Sequence, residues 1–154
     1  MIIYEDKPKY DLWGKIILSF APSLMLLLVI LIESGLLQTD SEEEAIIAKK
    51  VLLASLLAIL ILYWIILPRK YEIHDDVLKI VLGAFSYKIR LEDLAEVRSA
   101  EKWKALAYRG VRFTTSTKNI VEIRKKKGLS IVISPQNPEI FIENLNKAMR
   151  RSVM

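Results

Sequence analysis

Two uncharged apolar segments constrain this chain more than any other feature. Residues 16–32 (IILSFAPSLMLLLVILI) and 51–67 (VLLASLLAILILYWIIL) contain no charged side chain. Each segment forms a helix of about 26 Å, which flanking residues extend to the roughly 30 Å of a bilayer core. A buried helix of a soluble domain would carry a polar face over such a length. The sequence therefore predicts two transmembrane helices, at about 16–37 and 46–67.

The charges that flank the two segments predict their orientation. The connector between the segments carries four acidic residues within 40–44, which Lys49 and Lys50 oppose in part. The basic residues on the other flanks are Lys7, Lys9, Lys15, Arg69 and Lys70. Basic flanks favour the cytoplasmic side of a membrane. We therefore expect a multi-pass protein of the cell membrane with both termini in the cytoplasm and an acidic external connector.

Residues 68–154 have a different character and form a second predicted region, while residues 1–67 hold a short tail and the two helices. Apolar and polar residues alternate here with a period of two, which is typical of an antiparallel sheet with one buried face. The segments with this pattern are 71–74, 77–82, 85–91, 95–99, 111–115, 120–124 and 129–133. The LEDL stretch at 91–94 predicts a short helical turn. The stretch 100–108 fits a hairpin tip, an extra strand or a helical turn.

The stretch SPQNPEIF, residues 134–141, predicts where the sheet ends and a last helix begins. Pro135 cannot donate a hydrogen bond to a sheet ladder, so it ends the last strand. Asn137 suits an N-cap, and Pro138 suits the first helical position. Apolar residues then recur at helical spacing, beginning with Phe141 and Leu145. The second region is therefore seven strands closed by one amphipathic helix.

The sequence resembles the bacterial and archaeal pleckstrin-homology-like (PH-like) domains over roughly residues 68–150. YEIHDDVLKIVLGAFSYKIRLEDLAEV is similar to their opening hairpins, and VEIRKKKGLSIVISPQNPEIFIENL is similar to their closing strand and helix. Two membrane spans ahead of the domain are a common layout in that family. The resemblance implies an α+β protein: a transmembrane hairpin followed by a seven-stranded antiparallel PH-like barrel with a C-terminal helical cap.

Catalytic chemistry has little support in the residues. The chain has no cysteine and one histidine, and it contains no Gly-rich phosphate loop and no nucleophile elbow. His74, Asp75 and Asp76 resemble metal ligands, but adjacent residues at a strand end do not converge on one ion, and a polar turn explains them better. We therefore predict no catalytic, metal or cofactor-binding residues, and no enzyme.

Basic residues offer a different kind of site. Residues 68–154 contain 18 Lys and Arg against 10 Asp and Glu, and a basic domain beneath an anionic leaflet is attracted to it. The candidate contacts to lipid headgroups are Arg69, Lys70, Arg124, Lys125, Lys126 and Lys127. The alternative is a solvated hairpin tip whose charge serves solubility. Nucleic acid is not an expected partner, because aromatic residues are not interleaved with the basic tip.

The leading hypothesis is a non-catalytic interaction or scaffold module, held at the cytoplasmic face, that contacts anionic headgroups or a partner protein. The PH resemblance does not bring phosphoinositide binding with it, because the loop that carries this activity in eukaryotic PH domains is the acidic HDD here. One alternative is a small oligomeric transport or channel subunit, although the helices contain few polar groups. Another, implied by resemblance alone, is a bacteriocin-immunity or envelope-stress protein. A homo-oligomer is compatible with these hypotheses.

Overall fold

The computed structural model describes residues 1–37, 41–100, 110–116 and 118–152. Its helices are α1 (Leu12–Glu33), α2 (Glu42–Ile66) and α3 (Pro138–Ser152). Its strands are β1 (Ile2–Asp6), β2 (Lys70–His74), β3 (Val77–Val81), β4 (Ser86–Arg90), β5 (Leu94–Ser99), β6 (Val111–Phe113), β7 (Val121–Lys125) and β8 (Ile131–Ile133). The chain divides into two compact units, one of Lys15–Ile65 and one of Met1–Gly14 with Ile66–Met154.

The helical unit agrees with the two predicted apolar helices. Helices α1 and α2 are long and apolar enough to cross a membrane, and none of their residues is buried. Gly35, with a φ of 72°, ends α1 in the left-handed conformation that glycine adopts readily. Ser41 begins α2, because its hydroxyl accepts the N–H of Glu44 at 3.2 Å. Lys49 forms an ion pair with Glu33, on the neighbouring helix.

The second unit is a sandwich of two four-stranded sheets, with strand orders β1-β2-β3-β4 and β5-β7-β8-β6. The predicted α+β class is confirmed, but the seven-stranded antiparallel barrel is corrected in three respects. The described strands number eight, and they do not close into a barrel. In addition, β6 pairs in parallel with β8, on the edge of β8 opposite to its antiparallel partner β7.

Strand β1 is the element that the sequence analysis missed. Ile2–Asp6 pairs antiparallel with β2, so that Asp6 lies opposite Tyr71 and Glu5 lies opposite Glu72. Ile3 and Tyr4 pack against the core. No short turn connects β1 to its partner, because both membrane-length helices come between them in the chain. The local signal of a hairpin is therefore absent from the sequence.

The remaining elements follow the predicted pattern with bounds that differ by one or two residues at most ends. The predicted strand at 129–133 begins only at Ile131, since Gly128 has a φ of 92° and the hairpin turn extends past it. The predicted turn at 91–94 is a 3-10 helix over Leu91–Asp93. The stretch 100–108, for which a hairpin tip, an extra strand and a helical turn were left open, falls almost wholly outside the described residues.

The core lies between the two sheets and helix α3. Each sheet contributes the apolar members of its alternating pattern, and α3 contributes Phe141, Leu145 and Ala148. The ring of Phe141 meets Tyr71 and Tyr4 edge-on, with centroids 6.1 and 6.3 Å apart. Such pairs add about 0.5–1.5 kcal/mol beyond area burial. The terminal helix is therefore an integral wall of the sandwich.

Candidate interaction surfaces

Both connections to the membrane-length helices leave the sandwich from one end, named here the proximal end. After α2, the N–H of Arg69 donates to the carbonyl of Val81 at 2.8 Å, and the Pro68 carbonyl accepts the Tyr10 hydroxyl at 2.9 Å. Before α1, the N–H of Asp11 donates to the carbonyl of Thr115 at 3.4 Å. The proximal end thus comprises residues 7–14, 68–70, 81–85, 113–116, 118–119 and 134–136.

The opposite end of the sandwich, named the distal end, is built from three loops. They are the β2–β3 turn, the 3-10 helix and the β7–β8 hairpin. The N–H of Leu91 donates to the backbone carbonyl of Asp76, and the N–H of Lys126 donates to the backbone carbonyl of Asp93, both at 2.8 Å. Strand β2 spans five residues between the two ends, which separates them by about 16 Å.

The structure does not bring the six predicted headgroup contacts together. Arg69 and Lys70 lie at the proximal end, where the chain leaves α2. Arg124 is at the end of β7, and Lys126 and Lys127 are in the distal hairpin. Both groups are basic, but the pair at 69–70 and the run at 124–127 belong to different sheets and lie towards opposite ends of the domain.

Among the six, the partners of Lys70, Arg124 and Lys125 within the fold are well defined. Lys70 forms ion pairs with Glu72 and, at 3.2 Å, with Glu5. Arg124 forms ion pairs with Glu122 at 2.8 Å and Glu96 at 3.6 Å. Lys125 donates to the Tyr87 hydroxyl at 3.0 Å and lies 5.2 Å from that ring's centroid. By contrast, Lys126 and Lys127 are exposed.

The proximal end carries exposed basic residues beyond the candidate headgroup contacts that the sequence analysis named. Lys7 and Lys9 follow β1, and Lys118 follows the Thr115 loop; all three are exposed, as is Arg69. Pairing of β1 with β2 is what brings the two amino-terminal lysines beside Arg69. Phe85, 55% exposed, lies at the β3–β4 tip of the same end, where its carbonyl accepts the N–H of Leu82. The sequence signal that could have predicted β1 was the run of β-branched and aromatic residues in IIYE, residues 2–5.

Glu72 is the most buried charge of the first sheet and has a structural role. Its carboxylate is reached by Lys70, by His74 at 3.1 Å and by Lys79 at 3.3 Å. Burial by itself raises the pKa of Glu72, but the hydrogen bonds from these three residues outweigh it and lower the pKa to about 2. The ionised carboxylate therefore ties three side chains of β2 and β3 together.

The HDD turn shows no arrangement of metal ligands. His74 contacts Glu72, and Asp75 pairs with the amino group of Met1 at 2.6 Å. In the described ranges, no group of three His, Cys, Asp or Glu side chains could hold a metal ion. The HDD turn is thus an acidic loop of the distal end that is tied to the amino group of Met1.

A groove opens at the distal end between α3 and the start of β5. Its volume is about 490 Å³, within the range of about 300–1,000 Å³ for ligand clefts. Its walls are formed by Leu91, Leu94, Ala95, Lys126, Asn146, Met149 and Arg150. The residues that line this groove could not be located from the sequence, because they come from four separate elements: the 3-10 helix, β5, the β7–β8 hairpin and α3.

A two-sheet sandwich closed by a C-terminal helix, after two membrane-length apolar helices, defines a membrane-associated PH-like module. Comparison with protein families agrees: residues 69–149 match the family described as Bacterial PH domain. The chain belongs to the Bacterial PH domain family. Neither the curated proteins nor the solved structures include a match to it.

Proposed function

We propose that this chain is a membrane-anchored, non-catalytic interaction module, with both helices spanning the membrane and both termini in the cytoplasm. In this proposal the proximal end of the PH-like domain faces the headgroups of the inner leaflet. The distal end faces the cytoplasm and receives a protein partner. The observation that carries the proposal is the departure of both helix connections from one end of the sandwich.

The positions of the exposed basic residues support the proposed orientation of the domain on the membrane. Lys7, Lys9, Arg69 and Lys118 are exposed at the proximal end, and each basic residue near an anionic leaflet contributes about 1 kcal/mol. Of the six contacts predicted from sequence, the proposal keeps Arg69 and Lys70, the latter weakened by its pairing with Glu72. It assigns the exposed distal lysines, Lys126 and Lys127, to the cytoplasmic side.

Phe85 adds an apolar contribution to the same surface. Its ring is 55% exposed at a hairpin tip whose strand is bonded to Arg69 through Val81. Since Arg69 lies three residues after the end of α2, the chain can extend only about 11 Å between them. An exposed phenylalanine ring is favourable at the boundary between the headgroups and the acyl chains of a bilayer. We therefore assign Phe85 to the lipid interface.

Fluorescence quenching in nanodiscs tests this orientation on the full chain. The chain has no cysteine, so a single cysteine takes one label. Ala84→Cys and Leu129→Cys are matched sites, because both residues are exposed at hairpin tips, one proximal and one distal. Lipids with a quencher on the headgroup should quench the label at position 84 strongly and the label at 129 weakly.

The lipid dependence tests the electrostatic part. Quenching at position 84 should increase when phosphatidylglycerol replaces part of the phosphatidylcholine, and a Lys7→Gln/Lys9→Gln chain should lose that increase. Equal quenching at positions 84 and 129 would contradict the proposed orientation. The same quenching in neutral and anionic nanodiscs would contradict a role for the lysines.

A further inference from the structure

The distal groove combines an apolar floor with a basic rim. Leu91 and Leu94 are 1% and 2% exposed and form the floor. Met149 extends the apolar surface from α3; its unbranched thioether chain adapts to varied partners. Lys126 and Arg150, both exposed, stand at the rim. The site therefore offers apolar contact and positive charge side by side.

The two acidic residues between Leu91 and Leu94 in the chain are already engaged. Glu92 pairs with Arg90 at 2.8 Å, and Asp93 pairs with the same guanidinium at 3.2 Å. Among the described residues, none of those lining the groove is acidic. The charge of the rim is therefore complementary to an anion.

The position of the groove decides between two kinds of anionic occupant. Lys126 lies at the distal end, about 16 Å along the strands from the surface assigned to headgroups. A lipid of the anchoring leaflet is thus remote from the groove, whereas a cytoplasmic protein has access to it. An occupant with both acidic and apolar side chains would satisfy the rim and the floor together.

We propose that this groove binds an acidic, amphipathic segment of a cytoplasmic protein. Apolar side chains of the segment pack on Leu91, Leu94 and Met149, and its carboxylates pair with Lys126 and Arg150. The inference rests on the proposed function, since the orientation of the domain is what excludes the anchoring leaflet as the ligand. It names the class of partner that the module receives.

A designed peptide tests the groove directly. The probe is a fluorescent peptide of alternating leucine and glutamate, added to the full chain in neutral nanodiscs and followed by anisotropy. A Lys126→Glu/Arg150→Glu chain should bind it about tenfold more weakly or worse. Lys88→Glu is the matched control, because Lys88 is an exposed lysine of β4 that does not line the groove.

Further comparisons test the charged and the apolar contacts separately and distinguish a protein segment from a bilayer as the occupant. Peptides with lysine for glutamate, or serine for leucine, should not bind, and Met149→Glu should weaken binding of the original probe. Equal losses in the Lys88→Glu and double variants would overturn the proposal. Displacement of the probe by phosphatidylglycerol vesicles, with the same dependence on Lys126, would show a bilayer as the occupant and would also overturn it. Quenching at position 84, read on the same samples, reports separately on the orientation of the domain.

Discussion

The hydroxyl of Tyr71 joins the two sheets of the sandwich: it donates to the carbonyl of Phe113 at 3.1 Å and accepts the N–H of Ser134 at 3.4 Å. Tyr71 belongs to β2 in the first sheet. Phe113 belongs to β6 of the second sheet, and Ser134 directly follows β8 of that sheet. The side chain is completely buried, and this burial raises the pKa of the hydroxyl, which keeps it protonated as a donor.

Replacing Tyr71 with phenylalanine should lower the free energy of unfolding of the domain by about 1–3 kcal/mol, because two buried backbone groups lose their partner. The measurement is a urea titration of the full chain in detergent, with proteolysis of the PH-like domain as the readout. Tyr63→Phe, in α2, is the control and should leave the domain unchanged. An unaltered urea midpoint for Tyr71→Phe would show that the hydroxyl does not couple the sheets.

Asp6 should hold β1 to the beginning of α3. Its carboxylate, in a residue 5% exposed, accepts the N–H of Lys7 at 2.8 Å and the N–H of Asn137 at 3.0 Å. Asp6→Ala should therefore cost about 1.5–3 kcal/mol, as expected for hydrogen bonds to a charged group. Glu5→Ala, one residue earlier and half exposed, should cost no more than about 1 kcal/mol. Equal destabilisation by the two variants in the same titration would refute this role.

Glu72 should make the stability of the domain depend on acidic pH. Its pKa falls from 4.5 to about 2 on folding, so its contribution is complete above pH 4.5 and is lost as the pH falls towards 2. Glu72→Gln should flatten the decline of unfolding free energy over that interval and lower stability at neutral pH by about 1–3 kcal/mol. Glu92→Gln, an exposed control, should keep the wild-type profile. Parallel profiles for wild type and Glu72→Gln would contradict the assignment.

Gly14 should be required where the chain leaves the sandwich for α1. A Cβ atom at this position would lie 2.5 Å from the carbonyl oxygen of Thr115, so the backbone must shift to accept it. Gly14→Ala should cost about 1–3 kcal/mol and reduce quenching at a label on position 84. Lys15→Ala, at the next position, is the control. A Gly14→Ala chain with wild-type stability and quenching would show that the close approach is not needed.

Much of the fold was predictable because its signals are local. The alternation around Ile73, Leu78 and Ile89 located strands, and Pro138 located the beginning of α3. Strand β1 and the open sandwich were not predictable in the same way. The partner of Tyr4 in the sheet is Ile73, and pairing over such a sequence separation leaves no turn motif to read.

For the candidate site, the sequence predicted the presence of basic residues but not their positions or partners in the fold. The basic run at 124–127 is plain in the sequence, but tertiary pairing decides that Arg124 meets Glu96 and that Lys125 meets Tyr87. Likewise, Lys7 and Lys9 become part of a basic surface only through the pairing of β1. The charges themselves were visible, whereas the ends of the domain that they occupy depend on the topology of the sheets.

Labelling of single cysteines in intact cells tests the central claim most directly: two spans with the PH-like domain in the cytoplasm. Ser41→Cys lies in the connector between the helices, and Lys127→Cys lies in the domain. A membrane-impermeant maleimide should modify the cysteine at 41 in intact cells and the cysteine at 127 only after permeabilisation. Modification of both sites in intact cells, of 127 alone, or recovery of the chain in the soluble fraction without detergent would contradict the account.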